Sequence, residues 1–318
     1  MSTPVIKEDQ IDVRPFVRER YGKVAEEYQP GSDANCGCSP SDSSCCGSED
    51  TAQLETVAKL YQDPDVDTLP QEVTDLSLGC GDPVTLASLE EGQTVLDLGS
   101  GGGIDCFLAA KKVGPTGKVI GVDMTPAMID RARTNKANLD ADNVEFRLGE
   151  IEHLPIPDDT ADVIISNCVI NLSPDKPQVF REAFRALKPG GRLAVSDIVT
   201  DGPLPNAIKD NLSQWAGCVA GAMEVKDYVG AIEAAGFVDV QLKPVYWDKD
   251  IIESAVDSLD PELKAQLEDA RHKGKRMIVM NDGTGAELIE VEDSEDMTEV
   301  DISKTVFSAK VTGRKPLN

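Results

Sequence analysis

Apolar and polar positions alternate along the middle of the chain in a pattern that predicts strands and helices in turn. Short apolar runs have the length of buried strands, and the segments between them have the periodicity of amphipathic helices. The predicted strands cover residues 94–99, 117–124, 143–149, 161–167 and 192–199. Repeated strand–helix units build a parallel sheet with helices on both faces. The predicted fold class is therefore α/β.

The segments on either side of this region follow other patterns. Residues 11–29 predict an amphipathic helix. Residues 30–50 are rich in Gly, Ser, Asp and Cys and have almost no apolar side chains. Such a segment cannot form a core of its own, so we predict a mobile loop. After residue 199 the pattern predicts further helices, the strand VDVQLKPVYW, and a tail with one acidic helix and short strands such as RMIVMN and TVFSAKVTGRK.

These changes of pattern divide the chain into three parts. Residues 1–75 hold the amino-terminal helices and the Cys-rich loop. Residues 76–245 form the central α/β domain, and residues 246–318 form a smaller C-terminal α+β region.

Charge and composition narrow the classes of function. The 318 residues carry a formal net charge of −26. A surface of that charge repels phosphate backbones, so we expect no nucleic-acid partner. No apolar run reaches the roughly 18 residues of a membrane span, and the first residues lack the apolar core of a signal peptide. We therefore expect a cytoplasmic monomer with no membrane partner.

A glycine-rich segment, VLDLGSGGGIDC, joins the first predicted strand to the helix that follows it. Glycines at such a junction let the backbone approach a ligand closely, and Gly99, Gly101 and Gly103 have the spacing of a nucleotide-binding loop. Asp123 ends the second strand about 20 residues further on, where a carboxylate can bind the two hydroxyls of a ribose. The pattern therefore predicts a cofactor with an adenosine-like end.

Two cofactors fit this loop, a dinucleotide and S-adenosyl-L-methionine. Asp97 lies within the strand that leads to the loop, and a carboxylate there favours a cationic amino acid with a sulfonium over a pyrophosphate. Glu150, Ile151 and Glu152 follow the third strand and can reach an adenine. The predicted cofactor-binding residues are Asp97, Gly99, Ser100, Gly101, Gly103, Asp123, Met124, Glu150, Ile151, Glu152 and Asn167.

The eight cysteines are the second chemical feature of the chain. They are Cys36, Cys38, Cys45, Cys46, Cys80, Cys106, Cys168 and Cys218. Chains of this size in the cytosol seldom use disulfides as structural staples, so thiol chemistry or soft-ion binding is the more natural use. Cys106, on the predicted helix after the glycine loop, is expected to be a small buried apolar side chain.

Cys168 follows the strand ADVIISN at its carboxyl end, where open α/β sheets bind ligands. Cys80 lies in SLGCGDP and Cys218 in QWAGCVAGAM. Soft thiolates select soft acceptors, and three of them suit a thiophilic ion with a lone pair, such as trivalent arsenic. That lone pair would be the nucleophile, so no general base is needed. Neither of the two histidines is well placed to act as one.

At this point the chain resembles the arsenite S-adenosylmethionine methyltransferases. The resemblance covers most of the chain, from VRERYGKVAEEY through SSCCG, SLGCGDP, VLDLGSGGGIDC, GVDMTPAMI, SNCVINLSPDK and QWAGCVAGAM to VFSAKVTGRKP. The blocks SNCVINL and WAGCVAGA are specific, whereas VLDLGSG is shared by many methyltransferases. The resemblance implies a Rossmann-like class I methyltransferase sheet and S-adenosyl-L-methionine as the cofactor.

The resemblance also implies roles for the cysteines. In that family a cysteine in each specific block holds arsenic, and one in the glycine–cysteine–glycine block completes the site. These cysteines correspond to Cys168, Cys218 and Cys80. A further cysteine of the amino-terminal segment takes part in early thiol exchange, and here Cys45 and Cys46 both fit. The implied partners are arsenite, methylated arsenicals and a thiol reductant such as glutathione or thioredoxin, because methylation makes arsenic pentavalent and the cycle needs electrons.

Two other functions stay open at this stage. A methyltransferase for a small organic acceptor, such as a quinone precursor, would leave Cys168 and Cys218 without a role. A soft-metal-binding protein would leave the cofactor motifs unexplained. Cys36 and Cys38 could also form a zinc site with SSCCG, although two adjacent cysteines cannot easily ligate one tetrahedral ion.

Overall fold

The computed structural model describes residues 12–28, 61, 63–74, 79, 81–202, 221–246, 261–273, 276–281, 286–291 and 305–317. Within them the helices are α1 (Arg14–Glu27), α2 (Gln71–Thr74), α3 (Pro83–Ala87), α4 (Ile104–Val113), α5 (Pro126–Asn138), α6 (Lys176–Ala186), α7 (Val225–Ala234) and α8 (Pro261–His272). Short 3₁₀ helices cover Pro64–Thr68 and Ile170–Leu172.

The described strands are β1 (Thr94–Leu98), β2 (Lys118–Asp123), β3 (Val144–Leu148), β4 (Ala161–Asn167), β5 (Leu187–Thr200), β6 (Met223–Glu224), β7 (Val238–Val245), β8 (Arg276–Asn281), β9 (Ala286–Val291) and β10 (Val306–Arg314). The central sheet has the order β3-β2-β1-β4-β5-β10-β7, with β6 beside β5. Strands β8 and β9 form a separate antiparallel pair.

The alternation of side chains along the parallel strands forms two apolar layers. In β1, Leu96 and Leu98 face one layer, in which they pack with Phe180 of α6 and Tyr228 of α7. Val95 faces the opposite layer, together with residues of α3, α4 and α5. The sheet is therefore covered by helices on both faces, and the predicted fold class is confirmed.

The predicted elements agree closely with those of the structure in the first half of the sheet. The helix expected over residues 11–29 is α1, and the strand expected over 161–167 has those same bounds. The fifth strand differs, because it begins at Leu187 and not at residue 192. Leu187 is buried and pairs with Ala161, and the register shifts between Ala161 and Val163 to accommodate the Lys-Pro-Gly-Gly segment.

The C-terminal strand is more closely tied to the sheet than the sequence pattern indicates. Strand β10 was expected in a separate region over residues 246–318, but it lies between β5 and β7 and is antiparallel to both. The division at residue 246 stays a prediction for the rest of that segment. Among the described residues, no helix combines the length and the apolar character needed to cross a membrane.

Candidate cofactor and thiol site

A cleft lies at the carboxyl ends of β1, β2 and β4, the edge at which open α/β sheets bind ligands. Its volume is about 890 Å³ with its open mouth, within the usual range for small-molecule sites. The predicted site residues that line it are Gly99, Ser100, Gly101, Asp123, Met124, Ile151, Glu152, Asn167 and Cys168. Asp97, Gly103 and Glu150 are not in its lining.

Asp123 connects the end of β2 to the glycine loop. Its Oδ2 accepts a hydrogen bond from the Gly101 amide at 3.0 Å, and its Oδ1 accepts one from the Thr125 amide at 2.8 Å. Each carboxylate oxygen can accept more than one bond, so capacity for a ligand hydroxyl remains. Burial raises the pKa of Asp123, and the two amide bonds oppose that rise.

The glycine loop leaves its backbone open to the cleft. Gly101 has a φ of +49°, and a Cβ built on it would meet no other protein atom within 4 Å. At Gly103, which has a φ of +99°, a Cβ would lie 2.8 Å from the rings of Phe107 and Phe146. Gly101 is therefore open to a ligand, whereas Gly103 allows close packing beneath the loop.

Asp97 lies under the loop, away from the cleft. Its Oδ2 accepts a hydrogen bond from the Cys106 thiol at 3.2 Å, and both side chains are buried. Burial, with the neighbouring Asp105 carboxyl, raises the pKa of Asp97 well above its usual value. Cys106 is a buried free thiol whose pKa burial raises as well, so it is the packing residue that the sequence predicted.

Sequence reasoning missed Asp105, which lines the cleft from the first turn of α4. Its Oδ2 accepts a hydrogen bond from Asn167 Nδ2 at 3.1 Å. Burial raises the pKa of Asp105 to about 7, against the hydrogen bonds from Asn167 and Tyr61, and the Asp82 carboxylate adds to the rise. The sequence signal that could have found it is a carboxylate directly after the glycine loop.

Residues 150–152, which follow β3, make two different kinds of contact. Ile151 and Glu152 line the cleft as predicted, and Glu152 Oε1 accepts a hydrogen bond from Ser173 Oγ at 2.5 Å. Glu150 instead binds α1, since its two carboxylate oxygens lie 2.7 Å from Arg14 Nη1 and 3.1 Å from Arg18 Nη2. Glu150 therefore holds α1 in the structure, and its contact with an adenine stays a prediction.

Helix α1 forms one wall of the cleft through Arg14, Val17 and Tyr21. Its other end is held by Arg131 of α5, whose Nε donates to the Ala25 carbonyl at 3.0 Å and whose Nη2 donates to the Tyr28 carbonyl. The amino-terminal helix is thus fixed to the sheet domain at both of its ends.

Cys168 is placed at the floor of the cleft by an unusual backbone. Its φ is +57°, a left-handed conformation that is uncommon outside glycine, and its amide donates to the Ser196 carbonyl at 2.8 Å. The side chain is buried and disulfide-bonded. Cys168 therefore lines the same cleft as Asp123 and the glycine loop.

The other predicted thiols, Cys45, Cys46, Cys80 and Cys218, lie outside the described residues, as do Cys36 and Cys38. The glycines on either side of Cys80 are described. Asn167 Nδ2 donates to the Gly81 carbonyl at 2.8 Å, and a Cβ on Gly79 would lie 2.3 Å from that same nitrogen. Gly81 also packs closely against Ser196. Gly79 therefore packs against Asn167 at the end of β4, and Gly81 contacts both Asn167 and Ser196.

Comparison with known proteins identifies relatives of this chain. Residues 89–236 match a family described as a methyltransferase domain. The arsenite methyltransferase of Halobacterium salinarum is 47% identical over 243 residues, which cover 76% of this chain and 61% of that protein. The arsenite methyltransferase of Aquipseudomonas alcaligenes is 37% identical over 265 residues, covering 80% and 68% of the two chains. This chain thus spans less than two thirds of the length of the first of these relatives.

A solved structure gives a similar result. It is that of CrArsM, an arsenic(III) S-adenosylmethionine methyltransferase from Chlamydomonas reinhardtii. The TM-score is 0.55 and the sequence identity 30%, with 80% of this chain and 74% of that chain covered.

Proposed function

Because the chain belongs to the arsenite methyltransferase family, we propose that it methylates trivalent arsenic with S-adenosyl-L-methionine, the arsenic being held by cysteine thiolates. The observation that carries this proposal is that one cleft contains a cofactor-type loop and a cysteine, whose sulfur becomes a thiol when its disulfide is reduced. Asp123 and Gly101 form one part of its wall, and Cys168 lies at the end of β4 in the same cleft. An acceptor held by Cys168 would then lie beside the bound cofactor.

The cleft residues fit the cofactor. The open backbone at Gly101 allows close approach, and Asp123 has acceptor capacity left for ribose hydroxyls. Ile151 and Glu152 line the adenine side in this assignment, and Asn167 lies next to Cys168. When bound, S-adenosyl-L-methionine supplies an electrophilic methyl group.

The thiolates hold arsenic and leave its lone pair free. We assign Cys168, Cys218 and Cys80 as the ligands, with Cys45 or Cys46 starting the exchange of arsenic from free thiols. Soft sulfur ligands match trivalent arsenic, whereas hydroxyls do not. The contacts of Asn167 and Ser196 with Gly79 and Gly81 support the assignment of Cys80, since they bring its flanking residues to the end of β4.

The arsenic lone pair forms the new As–C bond while the bond from the methyl carbon to sulfur breaks and S-adenosylhomocysteine would leave with that electron pair. Arsenic is therefore formally oxidised by two electrons at each transfer. Two protein thiols can return these electrons by forming a disulfide, and a small thiol reductant or thioredoxin then reduces that disulfide. The disulfide at Cys168 has the oxidation state that such a step would produce. The proposed partners are therefore arsenite, methylated arsenicals and a thiol reductant, with the protein acting as a cytoplasmic monomer.

One assay separates this function from its two alternatives. The rate of S-adenosylhomocysteine formation is measured with the reduced protein, with and without arsenite. An arsenite methyltransferase shows a rate that rises with arsenite and saturates. A methyltransferase for a small organic acceptor such as a quinone precursor binds the cofactor but shows no arsenite-dependent rate. A soft-metal-binding protein binds arsenite and forms no S-adenosylhomocysteine.

A further inference from the structure

Asp105 carries a carboxylate oxygen that receives no hydrogen bond from the described residues. Asp105 is 5% exposed, and Asn167 donates to its Oδ2, while Tyr61 also donates a hydrogen bond to the carboxylate. Its Oδ1 has no hydrogen bond in the part of the chain that the structure describes. A buried carboxylate oxygen without a donor is unfavourable, because it has lost the hydrogen bonds that water would provide. Since Asp105 lines the cleft, a ligand can supply the missing donor.

The protein itself supplies no cation to this oxygen from the described lining of the cleft. The one basic residue in that lining is Arg14, and its guanidinium is bonded to Asp12 and Glu150. The neighbours of Asp105 that lower its pKa, Asn167 and Tyr61, are neutral donors, and the charged groups that act on it, Asp82 and Asp97, are acidic. This end of the cleft therefore favours a positively charged ligand group.

The order of strands in the sheet shows which end of the cofactor would reach Asp105. Strand β1 lies between β2 and β4 in the sheet. Asp123 ends β2, whereas Asp105 is bonded to Asn167, which ends β4. The two carboxylates thus lie on opposite sides of β1. S-Adenosyl-L-methionine is elongated, with the adenine at one end, the ribose and the sulfonium in the middle, and the α-ammonium group at the other end.

We propose that Asp105 binds the α-ammonium group of the cofactor's amino-acid end, an assignment that rests on the proposed use of S-adenosyl-L-methionine. The Oδ1 atom accepts the ammonium hydrogen bond, and Oδ2 keeps its bond to Asn167. Asp123 then fixes the ribose and Asp105 the amino-acid end of the cofactor. The sulfonium, which joins these two parts, falls between the two carboxylates, on the side of the cleft that holds Cys168.

The test compares three ligands by calorimetry: S-adenosyl-L-methionine, S-adenosylhomocysteine, and 5′-methylthioadenosine, which lacks the amino-acid end. Asp105→Asn keeps the size of the side chain and removes its charge. We expect the variant to bind the first two ligands roughly ten- to a hundredfold more weakly, the usual loss for a charge-assisted hydrogen bond, and to bind 5′-methylthioadenosine as the wild type does. Asp123→Ala is the matched control, since it should weaken all three.

Three results would overturn the assignment. The first is that Asp105→Asn binds all three ligands as the wild type does, and the second is that it loses affinity equally for all three. The third is a loss confined to S-adenosyl-L-methionine, which would show that Asp105 interacts with the sulfonium instead of the ammonium group. A second measurement needs no variant. It uses an analogue of S-adenosylhomocysteine that lacks the amino group. The wild type should bind this analogue as weakly as Asp105→Asn binds S-adenosylhomocysteine. If the wild type binds the analogue and S-adenosylhomocysteine equally well, the proposal is refuted.

These measurements concern binding alone, so they are independent of the acceptor. If the ligand pattern is as expected but arsenite does not stimulate turnover, the proposed function fails and the role of Asp105 stands. If arsenite stimulates turnover and the pattern is absent, the role of Asp105 fails and the proposed function stands.

Discussion

Asn167 Nδ2 donates a hydrogen bond to the Gly81 carbonyl oxygen at 2.8 Å. The residue before Cys168 is thereby bonded to the residue after Cys80, across 86 positions of sequence. The contact gives a physical reason to expect that these two cysteines act on the same centre, and the thiol variants below test that expectation.

Replacement of Cys168, in the block SNCVINL, or of Cys218, in the block WAGCVAGA, should abolish methylation of arsenite. In Cys168→Ser and in Cys218→Ser, a soft thiolate becomes a hard and mostly protonated hydroxyl, which is a poor ligand for arsenic. Cofactor binding should persist in both, as measured by calorimetry with S-adenosylhomocysteine. If either variant methylates arsenite at close to the wild-type rate, that cysteine does not hold the substrate.

The amino-terminal thiols should matter for the first methyl transfer but not for the second. Arsenite must be captured from free thiols, whereas monomethylarsenite already has one position occupied by carbon and needs fewer thiolates. We expect Cys45→Ser/Cys46→Ser to lose activity on arsenite and to keep it on trivalent monomethylarsenite. Cys80→Ser should behave in the same way.

The matched control for those variants is Cys36→Ser/Cys38→Ser, which should change little on either substrate. An equal loss on both substrates in the Cys45/Cys46 variant would contradict a capture role. If the wild type contains about one zinc ion per chain and the Cys45/Cys46 variant contains none, these cysteines form a structural zinc site instead.

Removal of the carboxylate at the end of β2 should weaken cofactor binding and spare arsenite binding. Asp123→Ala removes the acceptor assigned to the ribose hydroxyls, and such charge-assisted bonds contribute roughly 1.5–3 kcal/mol each. It also removes the acceptor for the Gly101 amide, so the glycine loop should become less ordered. Unchanged affinity for S-adenosyl-L-methionine in calorimetry would refute the assignment.

Gly101→Val should reduce cofactor affinity more severely than Asp123→Ala. A Cβ at this position meets no protein atom, so a branched side chain would project into the space left for the ligand. The φ of +49° adds backbone strain for a β-branched residue. The comparison of the two variants in one titration series tests this order.

Asp197 should make the protein less stable as the pH rises from about 4 to 7. Burial raises the pKa of Asp197 to about 7, against hydrogen bonds from the Ile198 amide, Tyr228 and Asn171 and the attraction of Lys176. An unfolded Asp titrates near 3.9, so between these values the folded state holds a proton that the unfolded state has released. The free energy of unfolding therefore falls with pH, by at most about 1.4 kcal/mol per pH unit from this group.

Asp197→Asn removes that titration, while Asp97, Asp105 and Asp123 remain in both proteins. The stability of the variant relative to the wild type should rise between pH 5 and 7 and then level off. Urea unfolding at half-unit steps of pH measures the difference. Parallel curves for the two proteins would show that Asp197 does not titrate in this range.

The parallel strands could be predicted from the sequence because each carries its own pattern. Strand β4, from Ala161 to Asn167, is buried at every position except Asp162, and a ligand site at its carboxyl end follows from the general geometry of open sheets. The positions of Asp123 and Gly101 beside this site could be predicted for the same reason, since a strand, a turn and a helix lie next to one another in sequence.

Contacts between distant segments could not be predicted in this way. Glu150 was expected near an adenine, but α1 packs against the sheet domain and brings Arg14 to it across 136 positions of sequence. Asp105 was missed because a sequence pattern does not show which way the first turn of a helix points. The left-handed Gly103 sets that direction at the start of α4.

The position of β10 between β5 and β7 has a consequence for biosynthesis. On the ribosome, both neighbours of this strand emerge before β10 itself does. Until residues 306–314 follow, the antiparallel edge of β5 and the facing edge of β7 lack the partner that they have in the folded sheet. Unpaired strand edges readily associate with other chains, so the nascent protein should be most prone to aggregation in the interval between the synthesis of β7 and that of β10.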